Sequence, residues 1–322
     1  EPYANIVGSN LNAGWYNTAR PHEPGGLEVT FSASMARAPS SLLTYDVLSL
    51  GLTGELEQGS PSEAPTVAGT MDNRPELVYS YTDGPGGVVP EAVEFARFTL
   101  PNGSGVDMFP LPMAQLTVGL PFGTDVSARF VPMIQLGDYG QIGLWGVGGR
   151  HSISQWVPVV KNLKFLDVAV QGGYTRVNTR VLVEVEPLPM SGLVPPPGPV
   201  YDFDDQYVVM QAEGWTVNLI ASQTIAFFTI YEGVGYASSL VGIDLEGHFP
   251  IPDIVTSGEV PEDIGKPTYS VEKDPVSLHY ENLENLRINV GARFKLGILT
   301  LHYDFTHTLY STHSAGIGIS FR

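Results

Sequence analysis

The feature that most constrains this chain is an alternation of apolar and polar residues with a period of two. Near the end of the sequence one parity is apolar and the other is polar: Leu299, Leu301, Tyr303 and Phe305 against Thr300, His302, Asp304 and Thr306. Successive side chains of a β-strand point to opposite faces. The stretch therefore predicts a strand with one apolar and one polar face.

The same alternation recurs along most of the chain, in segments of about nine to twelve residues or more. Strands of soluble proteins are typically about 5–6 residues long, whereas a tilted strand that crosses a bilayer needs roughly 9–11. We therefore predict an all-β fold, a transmembrane antiparallel β-barrel. A soluble β-sandwich or β-solenoid, which also alternates, is the alternative. The clearest segments are 27–36, 124–134, 165–178, 284–295, 298–308 and 313–322.

Composition excludes several classes of function. The chain has 322 residues, a formal net charge of −18 and no cysteine. Phosphate neutralisation needs clustered Lys and Arg, so a nucleic-acid partner is not expected. Without cysteine, neither disulfides nor thiolate metal sites can form. The apolar stretch 214–231 has Asn218 and Gln223 in its middle, so it predicts two strands and a turn rather than a transmembrane helix.

The alternating segments also predict the number of strands. Eleven segments qualify, and single-chain bacterial barrels have an even number, so adding residues 91–100 gives a predicted total of about 12 strands. Ten would follow if 41–51 belonged to a loop and 91–100 did not cross, and fourteen would need 76–82 and one further segment. Short turns alternate with long polar loops, which is typical of the periplasmic and extracellular ends of a barrel. The long extracellular loops are predicted at about 52–111, 181–205 and 247–282.

Residues 1–26 do not alternate and contain Gly, Asn and Pro. We interpret them either as a plug inside the lumen or as a frayed tail, with 27–322 forming a single barrel. The start of the sequence lacks the basic and apolar regions of a signal peptide. We therefore expect a mature exported protein, with its signal peptide removed, in the outer membrane of a Gram-negative bacterium and surrounded by outer-membrane lipid.

Three stretches carry a resemblance to known families. The ending HSAGIGISFR resembles the C-terminal assembly signal of Gram-negative outer-membrane barrels, although Phe321 is penultimate here. Residues 140–178 resemble the FadL-like channels for hydrophobic substrates, and residues 8–33 and 121–132 resemble uncharacterised outer-membrane proteins related to them. The resemblance implies a barrel that usually has fourteen strands and contains a lumenal N-terminal hatch. It also implies a chain longer than this one. It implies no particular binding residue.

Charged and amide side chains fall on the polar parity of several predicted strands, which in a barrel faces the lumen. They could line a channel and select the solutes that pass. They could instead pair with one another and hold the wall or a plug. The predicted lumen-lining residues are Glu28, Asp125, Arg129, Asp167, Gln171, Arg287, Arg293, His302 and Asp304.

No motif indicates catalysis or a metal. His302 and Asp304 share a face and Ser320 is near in sequence, but nothing beyond residue types supports a nucleophilic triad. Asp202, Asp204 and Asp205 lack the spacing of a calcium-binding loop. We expect no enzymatic activity, no cofactor and no metal site.

Two further features follow from the pattern. The apolar parity of residues 206–221 changes midway, which predicts a β-bulge at Glu213–Gly214. Aromatic residues are expected to form girdles at the two membrane interfaces. The candidates are Trp15, Tyr16, Trp145, Trp156, Trp215, Tyr231, Tyr236, Tyr303 and Tyr310.

The sequence thus favours a passive, porin-like channel or transporter in the outer membrane, with hydrophobic small molecules as the cargo suggested by the FadL-like resemblance. The alternative is a closed structural or accessory subunit of a larger outer-membrane complex. In that case the long acidic and Pro-rich loops would contact other outer-membrane proteins.

Overall fold

A computed structural model describes residues 2–51, 54–81, 93–135, 137, 140–157, 165–187, 193–254, 267–280 and 285–321. Its regular elements are one α-helix, two short 3-10 helices (Ser40–Leu42 and Val47–Leu50) and eighteen strands. In chain order they are α1 (Pro2–Asn12), β1 (Leu27–Arg37), β2 (Thr44–Asp46), β3 (Glu55–Leu56), β4 (Glu63–Pro65), β5 (Glu76–Tyr81), β6 (Val93–Thr99), β7 (Met108–Leu120), β8 (Thr124–Gln135), β9 (Gly140–Ser152), β10 (Leu166–Leu182), β11 (Tyr207–Ile225), β12 (Phe228–Glu246), β13 (His248–Ile254), β14 (Pro267–Lys273), β15 (Val276–Tyr280), β16 (Asn285–Leu296), β17 (Leu299–His307) and β18 (Thr312–Phe321).

Ten of these strands close into an antiparallel barrel, which confirms the predicted fold class. The order around the barrel is β11-β10-β9-β8-β7-β1-β18-β17-β16-β12, and pairing of β12 with β11 closes it. The first and last barrel strands pair along their length, from Leu27 with Phe321 to Ala36 with Thr312. An extra strand, β15, pairs with the far end of β12.

The predicted total of twelve strands is wrong, and the structure has the alternative of ten. Both segments in doubt belong to the loop between β1 and β7. Residues 41–51 form β2 and parts of the 3-10 helices, and Val47 packs with Ala64, Leu77 and Leu100 in a small separate core. Strand β6 pairs with β5, outside the barrel sheet. These segments find short local partners, so they do not cross.

The barrel strands alternate as predicted, with buried polar residues on the inner face and exposed apolar residues on the outer face. In β17, Thr300, His302 and Asp304 are buried, while Leu301 and Tyr303 are exposed. The described part of the chain contains no helix with the length and apolarity needed to cross a membrane.

The predicted bulge in β11 does not exist. Residues 207–223 pair without interruption with β10, and residues 207–225 do so with β12. Met210 and Ala212 are apolar because they face the lumen where it contains α1, and not because the strand changes phase. Where the inner face of a strand packs against a helix it is apolar, so the apolar positions in the sequence change parity although the strand itself is regular.

The aromatic candidates divide between the two faces. Trp145 packs on Tyr174 and Trp215 on Tyr236, with ring centroids 5.6 and 5.8 Å apart, on the exposed side of four neighbouring strands. Trp15, Tyr16, Tyr231 and Tyr310 are buried, so these four are not girdle residues.

Two ends of the barrel can be distinguished. At the turn end, short links join β7 to β8, β11 to β12 and β16 to β17, and the chain enters β1 and leaves β18. At the loop end, the long connections join β1 to β7, β10 to β11 and β12 to β16, and carry the small sheets β2–β4, β3–β5–β6 and β13–β14.

Candidate functional site

Residues 2–26, here called the lumenal segment, run through the inside of the barrel. Helix α1 contacts β11, β1, β12, β10 and β7, which lie on different sides of the wall. Tyr3, at its start, donates a hydrogen bond to the carbonyl oxygen of Val67 in the loop between β1 and β7. The helix therefore occupies the half of the lumen near the loop end, and the remainder continues to the turn end.

Apolar contacts hold α1 in its half of the lumen. The inner face of the wall is apolar at this height, which is where burial of helix side chains is most favourable. The buried cluster comprises Ala4, Val7 and Leu11 of the helix with Leu111, Met113, Leu144, Val177, Ala212 and Val241 of the wall.

Two buried arginines of the wall bind the end of α1. Arg129 donates hydrogen bonds to the carbonyl oxygens of Leu11 (3.2 Å) and Ala13 (2.8 Å), and Arg287 donates to that of Asn12. The last carbonyls of a helix lack partners within the helix and carry partial negative charge. Cationic donors from the wall therefore satisfy the helix end in place of water.

The aromatic pair that follows the helix fits spaces left by glycines. Trp15 lies against Gly148 and Gly173, where an added Cβ would come within 2.6 Å of ring atoms, and Arg129 stacks on its ring, 3.7 Å from the centroid. Tyr16 packs edge-on against Tyr231 at 6.0 Å. The wall and the lumenal segment are thus complementary in shape at this height.

Near the turn end, a network of charges joins the lumenal segment to the wall. The His22 ring lies between two carboxylates, with Nε2 2.9 Å from Glu28 and Nδ1 3.2 Å from Asp125. Arg150 pairs with Asp125 and also donates to the carbonyl of Thr18. The other pairs are Arg293 with Glu28 at 3.0 Å and Arg20 with Asp167 at 2.9 Å.

The position of His22 favours its protonated form. Both ring nitrogens face carboxylates, and only an imidazolium can donate from both. Burial acts to lower the pKa of His22, but hydrogen bonds and charges of Asp125 and Glu28 outweigh it, so the pKa is raised above its usual value. The ring is therefore a cationic link between β1 and β8.

This link predicts a specific dependence of stability on pH. Because the folded pKa of His22 is raised, its contribution is fully present below the unfolded pKa of about 6.5. It is lost as pH rises through the folded pKa. We expect the free energy of unfolding in detergent to fall over this window, measured by denaturant titration between about pH 6 and pH 9. His22→Gln should flatten that part of the profile, and parallel profiles for variant and wild type would refute the assignment.

The predicted lumen-lining residues all lie on the inner face, but they divide into three groups. Arg129 and Arg287 bind the backbone of the lumenal segment, while Glu28, Asp125, Asp167 and Arg293 belong to the charge network. Asp304, Gln171 and His302 contact the wall itself. Asp304 accepts from Asn289 (2.8 Å) and Gln171 from Asn218 (2.6 Å), and His302 packs over Gly316.

The residues considered for catalysis and metal binding are not assembled into a site. Ser320 accepts from Lys295 at 3.1 Å and not from His302. Asp205 binds His248, with the carboxylate 2.7 Å from Nδ1. Within the described ranges, no group of three or more His, Asp or Glu side chains could hold a metal ion.

Several important residues were missed from the sequence, and Trp15 was wrongly assigned to an interfacial girdle. His22, Trp15 and Arg20 lie in the segment without periodicity, so nothing indicated what they face. Arg150 lies on the inner parity of β9, but glycines obscure the alternation of that strand. A signal did exist, because the even positions 144 to 150 share a face with Leu144.

The lumenal segment leaves little free space beside it. Two cavities within the described part of the lumen have volumes of about 20 Å³ each, one beside Trp15 and His22 and one beside Asn12 and Arg287. Each is large enough for about one water molecule. A larger cavity of about 450 Å³ opens at the turn end, next to Arg20 and Lys295.

Comparison with known proteins identifies a family and several barrels. The sequence pattern described as "Family of unknown function (DUF6588)" matches residues 1–321. Curated proteins provide no match. The FadL-like resemblance gains no support from the family match.

The solved structures that match are outer-membrane barrels, at low similarity. The translocator domain of the autotransporter NalP from Neisseria meningitidis is 10% identical, with a TM-score of 0.29 over 94% of this chain and 90% of that one. The outer membrane transporter YddB from Escherichia coli is 10% identical, with a TM-score of 0.31 over 87% of this chain. The match spans only 39% of YddB.

Proposed function

We propose that this chain, which belongs to the DUF6588 family of unknown function, is a passive transport barrel of the outer membrane. In this proposal, residues 2–26 close the barrel at rest. The observation that supports this proposal is that the side chains of the barrel wall do not fill the lumen that the wall encloses. Inner positions such as Gly148, Gly173 and Gly233 are glycines, and side chains of the lumenal segment occupy the space beside them. A barrel built only as a scaffold can fill its lumen with its own side chains.

The outer surface supports a membrane location. On β11 the exposed residues include Trp215, Val217, Leu219 and Ile225. The ten residue-to-residue steps from Trp215 to Ile225 span about 33 Å at about 3.3 Å each, or about 25 Å for a strand tilted by roughly 40°. That height equals the apolar band of outer-membrane barrels, about 25 Å.

The residues that line the inside of the wall favour a cargo molecule with an apolar part. Without the lumenal segment, the half of the lumen near the loop end would be lined by residues such as Leu111, Met113 and Val177. The half near the turn end would be lined by charged residues, including Glu28, Asp125 and Arg293. We therefore favour small hydrophobic or amphiphilic molecules over ions.

The test uses a variant in which a protease can cut between the lumenal segment and the barrel. A protease site introduced at Gly25–Gly26, where Gly25 has open space around it, lets the protein fold before the lumenal segment is cut and washed out with mild denaturant. We expect negligible conductance in planar bilayers from the uncut protein and stepwise conductance from the cut one. Uptake into liposomes of a small amphiphilic dye with a charged group, which does not cross the bilayer unaided, should change in the same way.

The control is the wild-type barrel treated with the same protease and denaturant. If mass spectrometry shows that the N-terminal fragment ending at Gly25 has left and spectra show an intact barrel, the absence of conductance and of dye uptake would refute the transport function. That result would favour the second candidate, a closed accessory subunit. The small sheets at the loop end, formed by β2–β4 and β3–β5–β6, support this candidate because they add a folded surface beyond the barrel.

A further inference from the structure

The open cavity at the turn end has a cationic lining in a strongly acidic protein. Its volume is about 450 Å³, and the lumenal segment and the wall both contribute to it. Arg20, His22, Arg293 and Lys295 line it, against a single lining carboxylate, Glu23. The whole chain carries a formal net charge of −18, so this excess of positive charge is local.

The internal ion pairs do not use all of this positive charge. Glu28, Asp125 and Asp167 already bind His22, Arg150, Arg293 and Arg20. Lys295 donates to the hydroxyl of Ser320 at 3.1 Å. Among the residues that the structure describes, no carboxylate is within 4.0 Å of its ammonium group.

A second feature is an incompletely paired arginine in the lining of the cavity. Arg293 is only 8% exposed, and its Nη2 donates to Glu28. Its Nε has no hydrogen-bond partner among the described residues. Leaving a buried, charged donor incompletely paired is costly, so the described protein groups do not fully satisfy the positive charge of Arg293 beside the cavity.

We propose that this cavity, here called the turn-end site, binds the phosphate group of a small solute or lipid. Arginine, lysine and hydroxyl donors together suit the several oxygens of a phosphate group. The volume exceeds that of a phosphate ion alone, so the site accommodates a larger molecule that bears the group. Binding needs the lumenal segment in place, because Arg20 and His22 belong to it, and it does not depend on whether the barrel conducts.

The test measures binding to the intact protein. Titration of the detergent-solubilised full chain with inorganic phosphate and with glycerol 3-phosphate, followed by calorimetry, should give saturable binding. Lys295→Gln should weaken it by about tenfold or more, the effect of one lost charged contact. Glu23→Gln should strengthen it, because that substitution removes the lining carboxylate.

Lys273→Gln is the matched control, since it makes the same charge change on an exposed strand at the loop end and should leave binding unchanged. A parallel titration in nanodiscs, with and without phosphatidylglycerol, distinguishes lipid from soluble phosphate as the source. The proposal is overturned if no phosphate compound binds in either arm. It is equally overturned if Lys295→Gln and Lys273→Gln bind alike.

Discussion

Replacing Arg129 with methionine should lower the free energy of unfolding by at least about 4 kcal/mol, because hydrogen bonds to a charged group contribute about 1.5–3 kcal/mol each. Arg129 is almost completely buried. It donates to the carbonyls of Leu11 and Ala13 and, at 2.9 Å, to the side-chain oxygen of Gln115. Methionine fills similar space but leaves these oxygens without donors. The measurement is denaturant unfolding in detergent.

Arg37→Met is the control for loss of an arginine. Arg37 pairs with Asp107 at the loop end of β1, where its side chain is 65% exposed. Exposed ion pairs contribute about 0–1 kcal/mol, so this variant should unfold almost like wild type. Proteolysis should also separate the two, because only Arg129→Met releases the end of α1. Equal stability of the two variants would contradict the role given to Arg129.

The alternation was sufficient to predict the fold class because it is a local property. Each strand must present an apolar face to lipid and a polar face to the lumen, so consecutive residues of the strand alternate between apolar and polar. The strand number depends on which segments pair. Residues 41–51 contain enough apolar residues for a strand, but Val47 is buried in a small core that only tertiary structure creates.

Of the two parts of the candidate site, the residues of the barrel wall could be predicted from the sequence and those of the lumenal segment could not. Parity placed Arg129, Arg287 and Asp125 on the inner face, but their partners lie in residues 2–26, where no period exists. The contact between Arg287 and Asn12 joins residues 275 positions apart. Neither composition nor spacing contains information about such a contact. The interpretation of the charged residues as holding a wall or plug agrees with these contacts, whereas their use in selecting solutes remains a prediction.

Shape complementarity between Trp15 and the wall predicts a large effect from a single methyl group. Gly173→Ala should lower the free energy of unfolding by about 1–3 kcal/mol, the usual cost of overpacking. The new Cβ would lie 2.6 Å from Cδ2 of Trp15. The ring cannot simply retreat, because the guanidinium of Arg129 lies over it. We expect faster proteolysis and faster amide exchange in residues 2–26.

The neighbouring glycine provides the matched control, because consecutive residues of β10 face opposite sides of the wall. At Gly172 an added Cβ would meet nothing nearer than the carbonyl oxygen of Thr216, at 3.8 Å. Alanine is favoured over glycine within a strand by roughly 0.5–1 kcal/mol, so Gly172→Ala should leave stability unchanged or raise it slightly. The two substitutions are chemically identical and one residue apart, so a difference in sign depends only on what lies inside the barrel. If both variants had the same stability, Trp15 would not be packed against the wall in the folded protein.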